Sequence, residues 1–237
     1  MPQPIAILAH PGHELRLFAW MERERPLVCI LTDGSGGSAA SRTGYSEGLL
    51  RGCGASAGQV MGMLPDRAWY AAILAGDAEP FLRAAESIAG AAEAGALVVA
   101  DPVEGYNPMH DLCAAVADRV AALIGGRRAT YPLMRPRHEG EMLRLDPATA
   151  QRKRAAVTGY APLAEEAAAL LAADPRALRE EWILADPFDW PEAMLPPPAY
   201  EGIGAARQAA GVYGETIGYG RHVRPMALRL RQSSRQP

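Results

Sequence analysis

Three of the chain's five histidines fall in two short segments, His10 and His13 in AHPGHE and His110 at the end of NPMH. A spacing of three at the start of a helix carries two side chains to the same side within one turn. His110 opens a second helix behind a second strand, so the three imidazoles can converge on one point. A catalytic zinc needs three protein ligands of this kind and one open position, with Zn–N distances of roughly 2.0–2.1 Å. The expected centre is therefore Zn2+, or another divalent metal, held by His10, His13 and His110. Against it stands the plainer reading that a histidine at a helix start is a cap or a packing residue. His138 is expected to be exposed, and His222 can approach the same cleft from the C-terminal segment.

Such a site needs strands that end together. Ile5–Ala9, Leu27–Thr32 and Ala96–Ala100 are short apolar runs closed by polar or turn residues, and they read as buried strands. Leu15–Arg25, Ala78–Ala94 and Asp111–Ile124 show helical spacing between and after them. Gln59–Leu64 and Ala129–Leu133 are further strand candidates, weakened by Gly62 and Pro132. The alternation predicts an α/β fold, Rossmann-like, with a mostly parallel sheet and helices on both faces. Ligands of such sheets bind outside the carboxyl ends of the strands, where the histidines stand.

From Pro147 the chain turns helical, through Ala148–Gly159, Pro162–Ala173, Pro175–Leu184 and Gly202–Tyr219. The proline-rich stretch DPFDWPEAMLPPPAYEG reads as an extended loop within this part. One domain, 1–237, is expected: a sheet-forming part, 1–135, and a helical C-terminal part, 147–237, in which the helices and the Tyr213–His222 stretch roof the cleft.

Composition narrows the partners. The chain has 24 Lys and Arg against 27 Asp and Glu, a net charge of -3, so it has no broad basic field for nucleic acid or an anionic membrane. The arginines from Arg221 to Arg235 read as a solvated terminus. No stretch reaches the roughly 18 apolar residues of a membrane span, and the N-terminus lacks the features of a signal peptide. Cys29, Cys53 and Cys113 are an odd number without paired spacing, which points to a reducing compartment, most simply the cytoplasm. A small-molecule substrate is the expected partner, and a homo-oligomer is compatible with the sequence.

The second strand runs into DGSGGS, whose glycines can turn backbone N–H groups toward an anion. It lacks the lysine of a P-loop and does not match GxGxxG, so a tight loop facing the substrate, with Ser35 among its contacts, is the better reading.

In these segments the chain resembles the PIG-L/LmbE-like family of zinc-dependent de-N-acetylases. The family opens with a strand running into AHPDDE, follows with a threonine- and glycine-rich loop, and later carries HPDH. The counterparts here are AHPGHE at 9–14, TDGSGG at 32–37 and NPMH at 107–110, with a weaker match of QRKRAAVTGY at 151–160. The resemblance implies the ligand set His10, His13 and His110, with His13 at the position of the family's second aspartate. Three histidines in place of two and a carboxylate remove one negative charge from the metal, which becomes the stronger Lewis acid.

Gly12 stands where the family has its general base, and Asn107 and Met109 replace the first His and the Asp of HPDH. Three carboxylates can substitute as catalytic base: Glu104 in preference, Asp101 and Asp33. Glu104 is preferred because it shares a loop with His110 and Gly12 leaves space near the metal. A base must lie within roughly 2.6–3.2 Å of the proton it takes, or one water away. Asp101 is also read as a cap, and Glu14 as a group orienting a ligand histidine. Tyr106 or Asn107 can donate to a developing oxyanion, though Tyr106 is equally a packing residue. Arg42 and Arg51 can bind a substrate hydroxyl or anion, or lie on an exposed helix face. The activity implied is metal-dependent hydrolysis of a C–N amide bond, as in de-N-acylation of an N-acetylated sugar or related small molecule. The alternative is a non-catalytic or differently acting metal-binding protein on the same scaffold.

Overall fold

Apolar runs too short for helices become the strands of the central sheet. A computed structural model of the protein describes residues 1–36, 40–185 and 187–232. Five strands, β1 (Ile5–Leu8), β2 (Leu27–Thr32), β3 (Ser56–Leu64), β4 (Leu97–Ala100) and β5 (Arg127–Thr130), form one sheet in the order β3-β2-β1-β4-β5. All its pairings are parallel. The β1 and β4 runs are apolar throughout because helices cover both faces of the sheet, as parallel strands require. Side chains alternate between the two faces. Ile5, Ile7, Cys29, Leu31, Val98 and Ala100 enter one core, and Ala6, Leu8, Val28, Ile30 and Val99 enter the other.

The first core is closed by α3 (Asp66–Ala75), α4 (Glu79–Ala91), α5 (Pro108–Ile124) and α9 (Arg224–Gln232). The second is closed by α1 (Phe18–Glu24) and α2 (Thr43–Cys53). Gly62 does not end β3 but sits inside it at φ +67°, beside shifts in the register with β2. Its freedom at positive φ lets the edge strand bulge and still reach Leu64.

Past β5 the structure corrects the sequence reading in several places. β6 (Glu141–Arg144) and β7 (Glu180–Ile183) form a two-stranded antiparallel sheet. The expected helix over Pro175–Leu184 is instead one 3-10 turn, Pro175–Leu178, followed by β7. Its helix-forming residues are overridden by pairing with β6 and by Glu181. That carboxylate accepts from the Ala19 and Trp20 amides of α1 and from Lys153 Nζ. α6 (Pro147–Gly159) and α7 (Ala164–Ala173) lie close to the expected helices, joined by a 3-10 turn at Ala161–Leu163. α8 (Ala199–Ala209) ends ten residues before the expected Tyr219. The basic C-terminal stretch is not a solvated tail as far as Gln232. As α9 it buries Met226, Ala227 and Leu230 in the core shared with α5 and leaves its arginines at the periphery. No helix among the described residues is long and apolar enough to cross a membrane.

Candidate functional site

The strand order changes direction between β1 and β4, and this switch point is where an open α/β sheet has its crevice. The loop after β1 brings His10 and His13, and the loop after β4 brings Asp101, Glu104, Tyr106 and, on the first turn of α5, His110. The three imidazoles meet there. Their ring centroids are 5.3 Å apart for His10 and His13, 5.2 Å for His10 and His110, and 4.6 Å for His13 and His110. Three imidazoles bound through nitrogen to one tetrahedral ion at zinc distances have centroids about 5 Å apart. The separations therefore fit a shared ion.

Two of the rings are tethered. His10 Nδ1 lies 2.9 Å from Thr32 Oγ1 and 3.0 Å from Asp66 Oδ1. His13 Nδ1 lies 2.7 Å from Asp101 Oδ2. Acceptors at Nδ1 place the proton there and leave the Nε2 lone pair of each ring available. Carboxylates that hold the far nitrogen of a histidine are the usual outer partners of metal ligands. His10 Nε2 and His110 Nδ1 are buried without hydrogen-bond partners. A buried polar atom of this kind calls for an explanation, and a role in holding a metal ion is one. The cluster is not preformed, since among the described residues no group of three or more His, Cys, Asp or Glu stands ready to hold a metal. The ring separations still allow convergence, because no hydrogen bond among the described residues holds the His110 ring against turning.

Burial holds His10 below its usual range, and His110 well below it, so both rest as neutral imidazoles without needing to shed a proton. Burial works to raise Asp66, but its bonds with His10, the Gly36 amide and Thr32 outweigh that and hold it at about 2.

The candidate bases are all engaged. Asp101, fully buried, accepts from Ala9 N at 2.9 Å and Tyr131 OH at 2.5 Å as well as from His13. It is the one of the three that touches the cluster, and it does so as an orienting group. Glu104 accepts from the Met134 and Arg135 amides, at 2.9 and 3.1 Å, through its two different oxygens. Burial nonetheless pushes its pKa up. Asp33 closes an Asx turn on the Ser35 amide.

The space expected beside Gly12 is filled. Gly12 has φ +108°, and a Cβ there would run into Leu163 Cδ1 with Tyr160 close behind. Among the described residues the Glu14 carboxylate makes no hydrogen bond to a histidine. It accepts from the Gly12 amide and from Ser46 Oγ, fixing the turn of the loop itself.

Tyr106 is 44% exposed and stacks on His110 at 6.0 Å. Asn107 caps α5 by accepting from Met109 N, and it also bonds Tyr70 OH. Ser35 is buried in the glycine loop, whose Gly37 and Ser38 lie outside the described residues. Arg42 lies against Gly34, with Nε buried and unpartnered. Arg51 is on the exposed side of α2 facing Glu47, away from any role in the cleft. His222 does not join the cluster; its Nδ1 accepts from Gly218 N within its own turn. His138 is about one-third exposed and lies beside Asp174. The C-terminal part meets the site loops at Tyr160–Leu163, over Gly12, and at Met194–Ala199, where Ala199 N donates to Gly105 O.

Sequence reasoning missed Asp66, Thr32 as a histidine partner, and Tyr131. Asp66 carried one usable signal, an acidic residue opening a helix behind a strand. Comparison of the chain with models of protein families, with curated proteins and with solved structures gives no match.

Proposed function

We propose that the protein is a metal-dependent hydrolase of a C–N amide bond, built like the PIG-L/LmbE-like de-N-acetylases, that removes an acyl group from an N-acetylated sugar or related small molecule. The observation that carries this reading is the pair His10–Asp66 and His13–Asp101, which backs two of three clustered imidazoles with buried carboxylates. His10, His13 and His110 are the residues to hold Zn2+ or another divalent ion. When bound, such an ion supplies Lewis acidity toward the acyl carbonyl and makes water a better nucleophile at neutral pH.

The chain's own residues do the rest. Asp101 and Asp66 keep the proton on Nδ1 of His13 and His10. Tyr106 presents an exposed ring at the mouth, where it can flank the substrate, and Arg42 has guanidinium capacity left for a polar substituent. Glu104 is the carboxylate to receive a proton, since burial already favours its neutral form, and to do so it must loosen the Met134 or Arg135 amide. Three buried free thiols support a reducing compartment, the cytoplasm.

Metal analysis of gently purified protein, together with acetate release from N-acetylated sugars and from non-sugar amides, tests the proposal. About one divalent ion per chain and release of acetate are expected. Protein without a stoichiometric ion that releases no acetate would end it.

The second reading, a metal-binding protein without this turnover, is favoured by the plug of Leu163 over Gly12. Bound metal with no turnover on any amide or ester would select it.

A further inference from the structure

We propose that Tyr131 is a positioning residue for the histidine cluster, acting through Asp101 on His13; this rests on the metal-binding reading above. Tyr131 follows β5, two strands from β1 in the sheet, and is 1% exposed. Its hydroxyl donates to Asp101 Oδ1 at 2.5 Å, while Asp101 Oδ2 takes Ala9 N at 2.9 Å and His13 Nδ1 at 2.7 Å.

The division of labour between the two oxygens is the substance of the argument. Oδ2 alone leaves the carboxylate free to pivot about that atom, and a pivot changes the direction in which His13 is held. The Tyr131 bond at Oδ1 removes that freedom. The carboxylate is fully buried, so no solvent replaces a lost donor, and an unpaired buried oxygen is costly. Burial and the neighbouring Asp101 charge push the Tyr131 hydroxyl well above its usual range, so it stays a donor. β1, β4 and β5 thus contribute in series: ligand, orienting carboxylate and the hydroxyl that fixes it.

The neighbouring residue supplies a control. Thr130 Oγ1 donates to Ala100 O at 2.7 Å, a buried bond that joins the ends of the same two strands without touching Asp101. A merely structural role for Tyr131 predicts that losing either hydroxyl has the same kind of effect.

The test measures zinc affinity by chelator competition, and the visible spectrum of the cobalt-substituted protein, for the parent, Tyr131→Phe, Thr130→Val, Asp101→Ala and the Tyr131→Phe/Asp101→Ala double variant. Removing an outer partner of a metal ligand weakens affinity by roughly 10–100-fold. Tyr131→Phe, one bond further out and with its ring still filling the core, is expected at about the lower end, 10-fold. The cobalt spectrum should shift with it, and Thr130→Val should keep the parent affinity. In the double variant the Tyr131 change should cost nothing beyond Asp101→Ala, because its effect passes through that carboxylate. Parent-like affinity in Tyr131→Phe, an equal loss in Thr130→Val, or additive losses in the double variant would overturn the proposal. A parent chain that binds no zinc overturns the metal reading itself and this inference with it.

Discussion

Placing an aspartate at Gly12 is a direct test of the proposed de-N-acetylase reading, which expects a general base at that position. Gly12→Asp puts a side chain at φ +108°, where non-glycine residues store strain of about 1–3 kcal/mol. The new Cβ also meets Leu163 Cδ1. Overpacking costs roughly 1–3 kcal/mol, and here about 1 is expected, because the obstacle is the tip of a side chain that can swing away. Gly12→Asp should therefore lose about 2–4 kcal/mol, read from urea unfolding of the metal-free protein. Pairing it with Leu163→Ala should recover only the collision, a coupling of about 1 kcal/mol in the double-mutant cycle, and leave the strain in place. Acetate release by the double variant, if it rises, would support the proposed hydrolase reading with a carboxylate at position 12. A Gly12→Asp protein as stable as the parent would refute the reasoning, since the strain follows from the backbone at Gly12 and the collision from Leu163.

Other outcomes follow from the same structure. Asp66→Asn should weaken zinc affinity by roughly 10-fold or more with little change in fold, measured by chelator competition, because it alters the acceptor that fixes His10. Glu104→Gln should keep the metal and lose turnover if Glu104 takes the proton; unchanged acetate release would remove it from the mechanism. Glu181→Gln strands Lys153, whose partner lies 2.7 Å away in a fully buried pair, and should cost about 3–5 kcal/mol. Burial already pushes Lys153 down with Glu181 opposing, so the variant's Lys153 falls further. The unfolded chain then binds the proton more tightly than the folded one, and stability rises with pH up to the ordinary lysine range. The deficit should be larger at pH 6 than near pH 10, and equal deficits would count against the pair. Burial pushes Cys29 and Cys53 to about 12, so neither should react with a thiol reagent until the protein unfolds.

The parts legible in the sequence were those decided locally. β1, β2 and β4 are unbroken apolar runs, and only a strand buried on both faces needs such a run. The three histidines were legible because His10 and His13 closely follow β1 and His110 opens the helix behind β4, strand ends that topology gathers. Their partners were not. Asp66 and Asp101 are 56 and 88 residues from the rings they hold, and nothing local says which strand end faces which. α2 was suggested only as a helix face for Arg42 and Arg51 and not delimited, because TGYSEGLLRGC carries three glycines; it is held by burying Leu50 and Cys53 rather than by propensity. β7 was misread for the opposite reason, since its residues prefer helix and tertiary pairing prevailed. In α9, the arginines hid an apolar face formed by Met226, Ala227 and Leu230. The preference for Glu104 assumed free space at Gly12, and Leu163, from the 3-10 turn 151 residues later, occupies it.

The seat of the histidines at the switch point makes them a fastener between the two halves of the sheet. His10 and His13 are carried by β1, whose chain continues to β2 and β3, whereas His110 belongs to the β4–α5–β5 side. A ligand shared by all three binds only while both halves are docked, so its binding energy adds to the cohesion of the halves. At 100 times its dissociation constant such a ligand adds about 2.7 kcal/mol to folding. Amide exchange should slow on both sides of the seam at once, in β2 as well as in α5, although β2 itself supplies none of the three histidines.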